Sequence, residues 1–211
     1  MTGDLFTDAI RSPEHLRDLY EAPSPLAARK QITEIDEMAR RFIACSPLVF
    51  ISSAGANGSC DVTPRGGPAG FVSVLDEQHL VVPDATGNKR LDTWQNVIET
   101  GRAGLLFVIP GRGQTLRVNG AACVSARPEL LDSLTAVGKP PRSALVVRVE
   151  EVYAHCPKAF VRSKAWQPEH WLDPGLQPSP AEVTHAHLRM PEMTIAMVEQ
   201  SQRESLLYRL E

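Results

Sequence analysis

Asn88, Lys89, Arg90, Thr93 and Asn96 crowd polar and cationic donors just after a β-rich run that ends at Pro83 and Asp84. A phosphate dianion needs several such donors converging on it, and the free N–H groups of a helix start add more. The run from Asn88 to Asn96 predicts a helix that opens on Lys89 and Arg90. Cations in a first helical turn face the positive end of the helix dipole, which disfavours them by roughly 0.3–1 kcal/mol unless an anion sits there. Two readings stand at this point: a phosphate cradle, or solvated surface cations partly offset by Asp92.

Other reactive side chains are weaker candidates. His155 and Cys156 are neighbours in an extended segment, so they point to opposite sides and make a poor nucleophilic pair. Cys156 therefore reads as a small buried residue, and no catalytic side chain is assigned. A helix beginning near Pro157 puts His155, Lys158 and Arg162 on one face, as a cationic cluster or as an exposed charged surface. His185 and His187 would share one face of a strand, but with no Cys or acid at matching spacing they predict no metal site. Gly111-Arg112-Gly113 is half of a dinucleotide fingerprint, and it falls between two predicted strands instead of opening a helix. Arg117, between Leu116 and Val118, reads either as a site residue or as a strand residue facing solvent. Trp94, Trp166 and Trp171 suit ring stacking, but such residues are more often core or interface anchors.

Composition narrows the classes of function. A chain of 211 residues with 43% hydrophobic and 22% charged residues is long enough for a substantial core. A net charge of -3 gives no whole-molecule attraction to nucleic acid or to an anionic membrane, so neither is an expected partner. Asp4 stands where a secretory signal would carry cations, and no apolar stretch approaches the roughly 20 residues that cross a bilayer. A cytoplasmic location is the expectation. Cys45, Cys60, Cys123 and Cys156 are scattered without a close pair and read as reduced thiols.

The elements that must hold these residues run helix, strands, helix. Ser12-Pro13 and Ser24-Pro25 are helix starts, each an N-cap before a Pro at the first helical position. The second helix is predicted to run on through Ile32, Ile35, Met38, Ala39, Phe42 and Ile43 and to stop before Pro47. Strands are expected at Leu48 to Ile51, Cys60 to Thr63, Gly70 to Leu75, His79 to Val82, Ala103 to Ile109, Thr115 to Val124 and Ala144 to Tyr153. The Asn57-Gly58 pair should turn the first hairpin. Strands joined mainly by short turns imply a mainly β protein with an antiparallel sheet, closed or split into a barrel. Trp166 to Pro180, rich in proline, reads as an irregular arm, and Met193 to Leu210 as a final amphipathic helix.

The stretch Val62-Thr63-Pro64-Arg65-Gly66-Gly67-Pro68-Ala69-Gly70-Phe71, the Pro83 to Asn96 segment, Gly104-Leu105-Leu106-Phe107 and Thr115-Leu116-Arg117-Val118-Asn119-Gly120 stand in a telling order. With His155-Cys156-Pro157-Lys158-Ala159-Phe160-Val161-Arg162-Ser163, this set resembles FMN-binding split-barrel proteins of the pyridoxamine 5'-phosphate oxidase-like superfamily. The similarity is to the subgroup of probable FMN-dependent enzymes of unassigned substrate, and it spans about residues 30–170.

The resemblance implies a six-stranded antiparallel split barrel with N- and C-terminal helices, as a single domain over residues 1–211. A helical extension over about 1–46 would precede a barrel core over about 47–156 and an arm over about 157–211. It implies a homodimer with FMN at the subunit interface. Arg65, Lys89 and Arg90 match the positions that hold the flavin phosphate, Pro83 and Asp84 a backbone stretch lining the flavin, and Thr115 a polar residue reaching it from the second subunit. FMN itself needs donors at its phosphate, for which Arg65, Asn88, Lys89, Arg90, Thr93 and Asn96 are candidates. It also needs donors near the ring, for which Thr115, Lys158, Arg162 and Ser163 are candidates. The implied activity is hydride transfer between flavin and a small organic substrate. A non-catalytic flavin carrier, or a relative using deazaflavin or haem, is the alternative. The C-terminus, Glu204 to Glu211, lacks the Arg- and His-bearing motif of true pyridoxamine phosphate oxidases, which argues against a vitamin B6 substrate.

Overall fold

The computed structural model describes residues 6–85, 87–134 and 140–208. The chain divides into two compact units, residues 1–31 and 32–211. In the first unit, α1 (Pro13–Asp18) and α2 (Pro25–Arg29) start where the caps predict. Ser12 Oγ accepts the His15 N–H at 3.1 Å and Ser24 Oγ accepts the Ala27 N–H at 3.3 Å. Neither helix buries a residue.

The second predicted helix is in fact two. It stops at Arg29, and a separate helix α3 (Glu37–Ala44) opens on its own cap, Asp36, whose Oδ1 accepts the Ala39 N–H at 2.7 Å. The apolar residues between them serve extended backbone instead. Ile32 pairs with Val152, and the Ile35 N–H reaches the Glu77 carbonyl at 2.7 Å. A run of apolar residues three apart is shared by a helix face and by a segment that docks onto a sheet, and here the sheet wins.

Strands β1 (Leu48–Ala54), β2 (Cys60–Gly66), β3 (Ser73–Val74), β4 (His79–Pro83), β5 (Arg102–Val108), β6 (Thr115–Ser125) and β7 (Ala144–His155) form one sheet. Helix α4 (Asp92–Thr100) precedes β5, and the short α5 (Pro128–Leu131) follows β6. The strand order is β2-β1-β5-β6-β7-β4-β3, with every neighbouring pair antiparallel. The sheet thus has the seven strands predicted from the residues, one more than the six that the resemblance implies, and the predicted strand at 70–75 is reduced to the two-residue edge strand β3. At the β1–β2 hairpin Gly58 takes φ +84°, the left-handed conformation that the Asn-Gly pair announces.

One face of this sheet carries the core. Val49 and Ile51 of β1, Leu80 and Val82 of β4, Leu105 and Phe107 of β5, Val118 of β6 and Leu145 and Val147 of β7 meet there, with Trp94 and Val97 of α4 packed on them. Edge strand β2 continues that face differently. Asp61, Thr63 and Arg65 stand opposite Ser53, Ile51 and Val49, so the inner face turns polar at its margin. That polar margin positions the site.

Beyond β7 lie α6 (Lys158–Ser163), two short 3-10 turns, α7 (Pro180–Leu188) and α8 (Ile195–Tyr208). The turns at Pro168–His170 and Pro174–Leu176 fit the predicted irregular arm. The end of α6 is tied to the β5–β6 connection by Trp166 Nε1, which donates to the Arg112 carbonyl at 3.0 Å. Met193 lies before the final helix, and Leu210 lies outside the described residues. Among the described residues, no helix is long and apolar enough to cross a membrane.

Candidate functional site

A cavity of about 1140 Å³ opens where the polar face of β2 meets the segment after β4, the first turn of α4 and the segment before β7. Arg65, Asp84, Asn88, Lys89, Arg90 and Thr93 all line it. Small-molecule sites commonly enclose ~300–1000 Å³, so the space suits a large cofactor with room beside it.

The Asn88–Asp92 segment takes a form that the sequence does not announce. Helix α4 begins at Asp92, not at Lys89, so both cations lie before the helix and the dipole argument no longer applies to them. Asp92 occupies the first turn, where an acid is favoured. Lys89 and Leu91 instead adopt φ +62° and +63°, a left-handed conformation costly for side chains other than Gly, Asn and Asp. Between them, the Arg90 N–H donates to Asn88 Oδ1 at 3.0 Å and Arg90 Nε to Asp92 Oδ2 at 2.8 Å. Strain of this kind persists only where surrounding structure holds it, and it gathers at ligand sites.

Arg65 is held by stacking. Its guanidinium carbon lies 5.2 Å from the centre of the Trp94 ring, and Trp94 Nε1 donates to Ser143 Oγ at 2.8 Å. Arg65 Nε is buried and has no hydrogen-bond partner among the described residues. Arg117 Nε and Ser46 Oγ are in the same state, but of the three only Arg65 lines the cavity, where its Nε is open to an acceptor. Thr93 Oγ1 donates to Asp61 Oδ2, so this hydroxyl is committed to the wall. Burial pushes the Asp84 carboxyl above its ordinary range, opposed by Arg65, by its bond from the Ala85 N–H and by Arg142. Its backbone N–H is spoken for, donating to the Ser143 carbonyl at 3.0 Å.

The remaining candidates lie elsewhere. Pro83 is buried at the end of β4 opposite Ala144. Asn96 faces β1, its Nδ2 donating to Ser53 Oγ at 3.0 Å. Thr115 is buried at the start of β6 opposite His155, and Lys158, Arg162 and Ser163 are exposed on α6, which follows β7 at Pro157. Thr115 and α6 therefore stand at the end of the central pair β6–β7 where β6 begins and β7 finishes, and none of these residues lines the cavity.

Several rival readings change. Cys156 is exposed, as are the other three cysteines, instead of buried. His185 and His187 sit on helix α7, where residues two apart diverge, and His185 Nε2 lies 2.9 Å from the Met193 carbonyl. Arg117 does not point into solvent: it pairs with Glu151 and lies 4.1 Å from the centre of the Tyr153 ring. Trp94 acts as the shelf under Arg65.

Sequence reasoning missed Asp61, Thr63, Arg142 and Ser143. The first two were legible, since Asp61-Thr63-Arg65 at alternate positions makes one polar strand face. Arg142 and Ser143 had no local signal, and only the pairing of β4 with β7 brings them to Asp84.

No curated protein matches the chain. Among solved structures, a candidate pyridoxamine 5'-phosphate oxidase from Lactobacillus delbrueckii is similar at 20% identity and a TM-score of 0.47, over 58% of this chain and 95% of that one. Tagged HupZ from Group A Streptococcus is similar at 18% identity and a TM-score of 0.46, over 56% of this chain and 91% of that one. The family model described as pyridoxamine 5'-phosphate oxidase matches residues 35–156, a stretch that holds all seven strands, the cradle and Arg65. That stretch is more than half of the molecule, and the chain belongs to the pyridoxamine 5'-phosphate oxidase family.

Proposed function

We propose that the cavity binds FMN and that the protein is a flavin-dependent oxidoreductase acting on a small organic substrate. The observation that carries this reading is the orphaned Arg65 Nε, a buried cationic donor in a cavity that also holds Lys89 and Arg90. A phosphate supplies the missing acceptor, and Arg65, Asn88, Lys89 and Arg90 are the residues that would hold it. Bound FMN supplies hydride chemistry of its own. The chain's part is to seat it, with Trp94 fixing Arg65 and the strained Lys89–Leu91 turn aiming the cradle.

The sheet is read as a split barrel. Arg65 on one edge strand and Ser143 beside β4 both reach Trp94, which supports a sheet curled so that its two margins approach. A second copy of the chain would bring Thr115, Lys158, Arg162 and Ser163 toward the flavin, since within one copy they lie apart from the cavity. The exposure of Val62 (68%) and Phe50 (36%) on neighbouring strands supports an interface there.

Replacing Lys89 and Arg90 together with Ala should weaken FMN at least tenfold, about 1.4 kcal/mol, in a fluorescence titration. Unchanged affinity would remove the cradle from the account.

A further inference from the structure

Arg142 enters the cavity from the segment before β7, where no motif marks it. Like Arg65, it has no carboxylate within ion-pair distance among the described residues. Asp84, half-buried in the cavity wall, feels the charge of both cations, and its backbone N–H donates to the Ser143 carbonyl. The other charged groups facing the same space are Asp61 from β2, Lys89 and Arg90 from the cradle, and Asp92 from α4. Asp61 already accepts from Thr93 and Asp92 already accepts from Arg90, which leaves Asp84 as the cavity carboxylate with no side-chain donor among the described residues.

We infer that Arg142 joins Arg65 in seating the anionic end of the ligand, and that Asp84 is a proton-linked gate on that seat. This rests on the reading of the cavity as a flavin site and adds to it a residue and a pH response. An anion on Arg65 and Arg142 engages the two guanidinium groups that favour the ionised form of Asp84, and it brings a like charge close to that carboxylate. Both effects favour protonation, so seating the anion draws one proton from solvent onto Asp84. Burial already holds the carboxyl above its ordinary range before any anion arrives, so less is needed to complete the step.

The sign follows from linkage. Anion binding raises the Asp84 pKa from its value in the free protein to a higher one. Below both values the proton is present in either state and affinity is high and flat. Between them affinity falls as pH rises, by up to about tenfold per pH unit for one linked proton, and above both it is low and flat.

The test is calorimetric titration of FMN into the wild-type protein and the Asp84→Asn and Arg142→Ala variants, from pH 5 to pH 8, in buffers of differing ionisation heat. Riboflavin, which lacks the phosphate, is titrated in parallel. The free ligand's phosphate ionises near pH 6 in every titration, so that part of the proton balance is common to all three proteins. Wild type should take up more protons with FMN than Asp84→Asn does, and Asp84→Asn should bind FMN more tightly than wild type at pH 8. Arg142→Ala should lose severalfold in FMN affinity and little in riboflavin affinity. Equal proton uptake by wild type and Asp84→Asn at every pH, with FMN still bound, overturns the gate and leaves the flavin site standing. Equal loss of FMN and riboflavin in Arg142→Ala overturns the seat. Failure of wild type to bind FMN at any pH overturns the flavin reading itself, and the gate with it.

Discussion

At the scale of single residues, the site rests on unusual states of ordinary side chains. Lys89 is an exposed cation by composition, yet its backbone is held left-handed, and Arg65 is a strand residue whose Nε is buried without an acceptor. The cysteines show the opposite pattern. Cys156 is exposed just past β7, and none of the four cysteines lines the cavity within one copy of the chain. A Cys156→Ser variant loaded with FMN should reoxidise at the wild-type rate with the same electron acceptor. A hundredfold loss, about 2.7 kcal/mol of barrier, would show that this thiol takes part. Residue types were legible in the sequence and their states were not. Asn88, Lys89 and Arg90 stand out in the sequence as a phosphate cradle or as solvated cations, and the fold lines a cavity with them, whereas Arg142 acquires its place there only from strands that are distant in sequence.

Elements were legible wherever a local rule fixes them. Ser12-Pro13 and Ser24-Pro25 start helices because a hydroxyl and a preset φ solve the N-terminal hydrogen bonds locally. Asn57-Gly58 turns a hairpin because Gly tolerates φ +84°. The start of α4 carries no such mark, since Leu91 is an N-cap that makes no side-chain cap bond. Long-range demands also overrode local pattern at Ile32 and Ile35, where pairing with the sheet displaced a helical repeat. Gly120 is a strand residue whose need is visible only in the pair β6–β7. The register shifts between Asn119 and Gly120, and a Cβ built on Gly120 would lie 2.0 Å from the Arg148 carbonyl oxygen. Gly120→Ala should therefore destabilise the fold by roughly 1–3 kcal/mol, read as a lower urea midpoint. A midpoint equal to wild type would mean that the bulge relaxes freely.

For the whole molecule, the proposed flavin site calls on two polar groups that lie apart within one copy of the chain. The cavity gathers Arg65, Asp84, Lys89 and Arg90, while Thr115 and the cations of α6 stand at the end of the central strands β6 and β7. Edge strand β2 also leaves one side of its ladder without a partner strand in the sheet, a surface that proteins commonly cover. A symmetric pair of chains answers both needs, because a two-fold axis presents the same patch twice. Sedimentation at micromolar concentration should show a dimer. A stable monomer with full FMN affinity would refute the shared site. The central claim, that this cavity holds a flavin, is tested most directly by the absorption spectrum of freshly purified protein. Flavin bands that disappear on photoreduction and return with an added electron acceptor are the predicted result, and the bands of deazaflavin or haem in their place would contradict it.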